Sequence, residues 1–315
     1  MATGDRVRIE PESVQAIVLD EPTPARRAVE HFRLLSERAR RPSPEEDERC
    51  PRPRSISRDA APRSRVNADL VALPGGTFDM VVCHDRRECG CYPEGAGDEA
   101  LWGWFYKDTL THRLSVTLPR FAMRRTAVTN AEYLAFVHRS GYRPADPDRF
   151  LNHLPRGEGG SLPEALAPDL ADLPVTFVGL ADAWAFADAH GERLPTEGEW
   201  QWAAEGAGAG NPYPWGSDER PVGGALKAAH DETTATPQGI LGLSGNAWEL
   251  TDSERTDGHT RFVMLRGGIF LPPGESEWLV ARGALKNDSH TKYILLADAL
   301  DRSASVSFRT VRDLE

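Results

Sequence analysis

Near the N-terminus, apolar residues recur at helical spacing. Ala25, Val29, Phe32 and Leu35 or Ala39 lie three or four positions apart, which predicts an amphipathic helix. Thr23 and Pro24 supply its start, and a short apolar run, Ala16 to Leu19, precedes it. Such a helix packs on a larger domain or presents its face to a protein partner. Over residues 42–66 the pattern stops: this stretch holds five prolines, many charges and almost nothing apolar. It reads as a disordered linker. The chain therefore divides into an N-terminal strand and helix element (1–41), a linker (42–66) and a main domain (67–315).

In the main domain, short runs replace long periodic ones. "VALPGGTFDM" reads as strand, turn, strand, and "HRLSVTLPRFAMRRTAVT" as two strands. "NAEYLAFVHRSG" reads as a helix ended by Gly141. "VTFVGLADAWAFADAHG" predicts a strand and then a helix, again ended by glycine. "GNAWELTDS", "RFVMLRGGIF" and the terminal "SVSFRTVRD" are strand-like. Within "GERLPTEGEWQWAAEG", Thr196 and Glu199 form a T-x-x-E capping box. Trp200, Ala203 and Ala204 can then share a buried face. Trp184, Trp215 and Trp248 read as further scaffold, since buried indoles tie loops down.

Composition narrows the function. Of the 315 residues, 28 are Gly and 24 Pro, which favours a loop-rich mixed α/β body over a helical bundle. The formal net charge is −11, and residues 1–66 hold 14 Arg against 12 acids, so the acid excess lies in the main domain. An acidic body repels phosphate backbones, which argues against nucleic acid as partner. No apolar run reaches the length of a membrane helix. No export signal is visible, and Cys50, Cys83, Cys89 and Cys91 lack the spread of a disulfide framework. A cytoplasmic, reduced protein is expected.

One cluster carries candidate metal chemistry. "CHDRRECGCYPE" brings Cys83, His84, Cys89 and Cys91 together, a ligand set for zinc, copper or iron. The spacing matches no standard zinc motif, so an incidental surface insertion stays open. Other histidines, among them His112, His138, His153, His259 and His290, are scattered. The aromatics Trp102, Trp104, Phe105 and Tyr106 either line a pocket or anchor the insertion.

Seven segments in order, "LPGGTFDM", "FAMRRTAVTNAEYLAFV", "PVTFVGLADAWAFADAHGERLPTEGEWQWAAEG", "YPWG", "GLSGNAWEL", "LRGGIF" and "SFRTVRD", resemble the formylglycine-generating enzyme family. That family is also called sulfatase-modifying factor and includes the sulfoxide synthases of ergothioneine biosynthesis. The resemblance implies the family's α/β (α+β) fold, related to C-type lectins and poor in regular secondary structure. It implies a calcium turn at "GNAWEL", with Gly245, Ala247 and Glu249 as ligands, although the family's Asn three residues before the glycine is Gly242 here. It also places the loop after Gly268 in a substrate cleft, where Glu277, Trp278, Arg282, Asn287, Asp288 and His290 are candidates for a small polar molecule or peptide.

The family's two copper-binding cysteines align with Pro272 and Glu277, and no Cys follows Cys91. Formylglycine generation by the usual copper route is therefore not expected. Residues 1–69 hold one His, His31, too few for the three-histidine iron bundle of the sulfoxide synthases. Two functions remain: a metal-dependent oxidative tailoring or protein-modifying oxidoreductase, and a non-catalytic module that binds a ligand or partner.

Overall fold

The structure, a computed structural model, describes residues 70–85, 109–221, 224–256, 261–271, 283–297 and 300–314. The N-terminal helix and linker, Cys89, Cys91, the Trp102–Tyr106 aromatics, Pro272, Glu277, Trp278 and Arg282 lie outside them. Among the described residues no helix is long and apolar enough to cross a membrane.

Three helices carry most of the helical content. Helix α1 (Asn130–Ser140) starts at a Thr129–Glu132 capping box and ends at Gly141, φ 67°. Helix α2 (Leu180–His190) ends at Gly191, φ 65°. Glycine adopts this left-handed geometry without the steric cost of a Cβ. Helix α3 (Glu197–Ala204) starts at the Thr196–Glu199 capping box expected from sequence. Its burial goes beyond the expected single face, because all eight residues are buried.

The strands form several small sheets. β1 (Leu70–Leu73), β4 (Phe121–Arg124) and β11 (Val311–Asp313) make one sheet with β4 central. β10 (Val306–Phe308), β5 (Trp248–Thr256), β6 (Arg261–Arg266) and β9 (His290–Ile294) make the largest, in that order. There β10 runs parallel to β5 and the other pairs are antiparallel. β2 (Gly76–Asp85) and β3 (Thr109–Leu118) form a long antiparallel ribbon from Gly76↔Leu118 to Asp85↔Thr109. β7 (Gly268–Ile269) and β8 (Gly283–Ala284) form a two-residue ladder.

Sequence and structure differ at two stretches. "SVSFRTVRD" is two strands in different sheets, β10 and β11, with Arg309 and Thr310 between them. The strand expected at "VTFV" does not form: Phe177 has φ 53°, which breaks an extended run. Its flanks bond elsewhere, Val175 N–H to Val128 O and Phe177 N–H to Ser303 O.

The core has three parts. Tyr133, Phe136, Phe186 and Phe308 pack α1 and α2 against the largest sheet. Trp200 and Trp202 pack α3 against Phe121, Met123 and Val311. Met80 and Val82 of the ribbon meet Phe262 and Met264 of β6.

A strained corner lies beside the first part. Arg149, Leu151 and Phe177 all have positive φ (58°, 49° and 53°), a costly backbone state for residues with side chains. The Leu151 N–H donates to Phe177 O, and the Phe177 ring stacks on His153, with Arg149 also against it. His153 Nε2 lies 2.7 Å from Asn130 Oδ1. Burial, with Arg156 adding to it, pushes the His153 imidazole down to about 4. Its neutral form is thus the folded form. The resulting stability is complete above pH 6.5, the ordinary value, and is lost as pH falls from there through about 4. Burial also pushes His190 down, so it shares this acid limb. His153→Gln is expected to shallow the fall in urea midpoint between pH 7 and 4. Parallel curves for the two proteins would refute this.

Candidate functional site

The R-G-G turn organises the site. Gly267 and Gly268 have φ 97° and 81°. A Cβ would meet Leu243 O at 2.2 Å from Gly267 and Gly283 O at 2.1 Å from Gly268. Only glycine lets the backbone pass this close, and the turn sends β7 into its pairing with β8. Arg266 points inward from the same turn. Its Nη2 donates to Gln201 Oε1 (2.5 Å) and Asn287 O (2.7 Å), and its guanidinium lies 5.3 Å from the Trp200 ring centroid.

Two of the cleft candidates are interior residues. Asn287 is fully buried; its Nδ2 donates to Ala204 O and Asn211 O, both at 2.9 Å. His290 is buried, with Nδ1 2.8 Å from Glu197 Oε1. Both tie β9 and the segment before it to α3 instead of facing a cleft. Asp288 remains half-buried at the surface, and its carbonyl accepts the Cys83 N–H at 2.7 Å. Cys83 also forms a parallel bridge with Ser289, and its Sγ lies 3.7 Å from Thr111 Oγ1. The ribbon thus carries Cys83, with His84 next in the chain, to the segment that holds the cleft candidates. Sequence spacing gives no sign of this meeting. Among the described residues, no three His, Cys, Asp or Glu side chains converge as a metal site.

The implied calcium ligands fit that ion poorly. Glu249 is buried, and both its oxygens already accept from strong donors. Oε1 takes Arg309 Nη2 at 2.6 Å; Oε2 takes Arg309 Nε at 2.7 Å and Trp200 Nε1 at 2.8 Å. Beyond this carboxylate the transferred set offers only the Gly245 and Ala247 carbonyls, against the six to eight oxygens, roughly, that calcium takes. The side chain of Asn246, in the same turn, is committed to protein: Oδ1 accepts the Lys227 N–H (2.9 Å) and Nδ2 donates to Lys227 O (3.1 Å).

That clamp helps shape a recess missed in the sequence. It spans about 490 Å³, counting the solvent it opens onto, and its lining includes Trp215, Arg220, Lys227, Asp231, Ser244 and Ala284. Ala284 belongs to β8, so the recess adjoins the foot of the β7–β8 hairpin. Trp215 stacks on Tyr213, with ring centroids 5.6 Å apart, and the Arg220 guanidinium lies 4.8 Å from the Trp215 centroid. Lys227 Nζ is 3.4 Å from Asp231 Oδ2. The hydrogen bond from the Thr233 hydroxyl holds the Asp231 carboxyl below its ordinary value despite partial burial. These residues sit on loops without periodicity. The D-x-T pattern Asp231–Thr233 was the available local signal, because a side-chain turn of this kind fixes a loop.

The small sheets, short helices and glycine-forced turn define a loop-rich α/β scaffold with a solvent-open recess. The model of the sulfatase-modifying factor enzyme 1-like domain matches residues 57–314, and the chain belongs to this family. It is similar to a formylglycine-generating enzyme of Streptomyces coelicolor, 33% identical over 274 residues and covering 67% of this chain and 81% of the relative. It is also similar to an inactive C-alpha-formylglycine-generating enzyme 2 of Bos taurus, 30% identical over 254 residues, covering 64% and 76%. The crystal structure of CarF shares the fold, with TM-score 0.51 and 18% identity over 79% of this chain and 99% of that one.

Proposed function

We propose that this protein uses the family scaffold to bind a polar ligand beside the β7–β8 hairpin, without copper-thiolate oxidation of cysteine. The recess is the observation that carries the reading: two cations, a carboxylate and an aromatic wall converge there. Pro272 and Glu277 stand at the aligned copper positions. Pro has no side-chain donor, and a carboxylate is a hard ligand ill-suited to copper(I). Likeness to a relative named as inactive supports the same reading.

The purified protein, supplied with copper and a sulfatase-type cysteine peptide, is expected to form no aldehyde, while a panel of small polar molecules yields at least one that raises its melting temperature. Copper-dependent turnover would overturn the proposal. A second reading, metal-dependent oxidation of a polar substrate, draws on Cys83 lying against Asp288 and Ser289. Stoichiometric zinc, copper or iron in the same sample, lost in Cys83→Ser, would favour it.

A further inference from the structure

The geometry points to a carboxylate-binding subsite in the Trp215–Arg220–Lys227 recess, which rests on the ligand-binding reading and specifies its chemistry. The hydroxyl protons of this wall are directed into the protein. Thr233 Oγ1 donates to Asp231 Oδ1, Thr234 Oγ1 to Asp231 O and Ser244 Oγ to Leu285 O. The side-chain donors left for a ligand are therefore those of Arg220 and Lys227. Both are held in place. Arg220 lies over one face of Trp215 while Tyr213 stacks on the indole, and its Nη1 donates to Thr233 O. Nε and Nη2 of that guanidinium have no partner among the described residues. Lys227 is fixed through its backbone by Asn246. A pinned guanidinium loses little freedom on binding, and its planar fork suits the two oxygens of a carboxylate.

Charge selects the anion. Two cations face one carboxylate, Asp231, which leaves room for a single negative charge. A phosphate dianion would meet Asp231 in the recess and the net charge of −11 on the chain. A monoanionic carboxylate meets neither penalty in full. With both cations exposed at the surface, affinity for an isolated acid should be weak and sensitive to ionic strength.

Calorimetric titration of the full chain at low salt and neutral pH tests this, with butyrate, a peptide whose one net negative charge is a carboxylate, and inorganic phosphate as probes. Butyrate or the peptide should bind and phosphate should not; the stronger of the two identifies the source of the carboxylate. Arg220→Gln and Lys227→Gln should each weaken binding by about tenfold or more, as charge-assisted hydrogen bonds do, while Arg261→Gln leaves it unchanged. Asp231→Asn should admit phosphate. Matching urea midpoints would show that the variants fold. Tighter binding of phosphate than of either carboxylate probe to the native protein, or unchanged affinity in Arg220→Gln, overturns the assignment. If only neutral molecules bind, the carboxylate subsite falls and the ligand-binding reading stands. Copper-dependent turnover would remove that reading and leave any carboxylate binding intact.

Discussion

Glu249→Ala is expected to destabilise the domain by about 3–5 kcal/mol, the cost of removing one partner from a buried ion pair. The pair is fully enclosed: the Arg309 and Glu249 side chains are 0% and 1% exposed. Arg309 lies between β10 and β11, which belong to different sheets. It also donates to Arg124 O at 3.2 Å and Leu241 O at 2.8 Å. Without the carboxylate, only these carbonyls and that of Arg125 would face the buried charge, and the Trp200 indole N–H would lose its acceptor. Glu249→Leu combined with Arg309→Met should cost less than the sum of the single changes, because no charge is left unpaired. The structure also predicts that a calcium chelator leaves the native urea midpoint in place. If chelation instead reproduced the loss seen in Glu249→Ala, the carboxylate would be a calcium ligand after all.

Trp200→Ala should cost roughly 3–5 kcal/mol, in the range for large aromatics removed from a core. The side chain is fully buried and packs between the cluster around Phe121 and Met123 and the Arg266 guanidinium. It also supports the R-G-G turn, lying 3.3 Å from the point where a Gly267 Cβ would stand. Trp200→Phe retains most of the apolar contact and removes the indole N–H, so a smaller loss of about 1–2 kcal/mol is expected. Because Trp200 and Glu249 share a hydrogen bond, their alanine variants should be non-additive in equilibrium denaturation. An unchanged midpoint in Trp200→Ala would contradict the scaffold role of "GEWQW".

Local chemistry was legible in the chain. The Thr196 capping box, the glycine ends of α1 and α2 and the burial of Trp200 each follow from a few neighbouring residues. Long-range pairing was not. Glu249 and Arg309 are 60 positions apart, and nothing near either one marks it as buried. Polarity suggests surface for Arg266, Arg302 and Arg309, yet all three are enclosed. Arg302 pairs with Asp182 across 120 positions. Asn287 and His290 misled for the same reason: polar groups in a loop resemble a cleft until their interior partners are known. The recess draws on residues from 215 to 284, and only folding brings that span to one wall.

The two glycines of the R-G-G turn are required by close backbone passage, whatever follows them in the chain. Natural selection can therefore discard the thiols of the next loop and still retain the turn, since any side chain at Gly267 or Gly268 would drive into a neighbouring carbonyl. Genome surveys keyed on this tripeptide sort proteins by architecture. Pro272 and Glu277, five and ten places beyond Gly267, and the side chains that line the recess carry the chemical information that the turn itself does not.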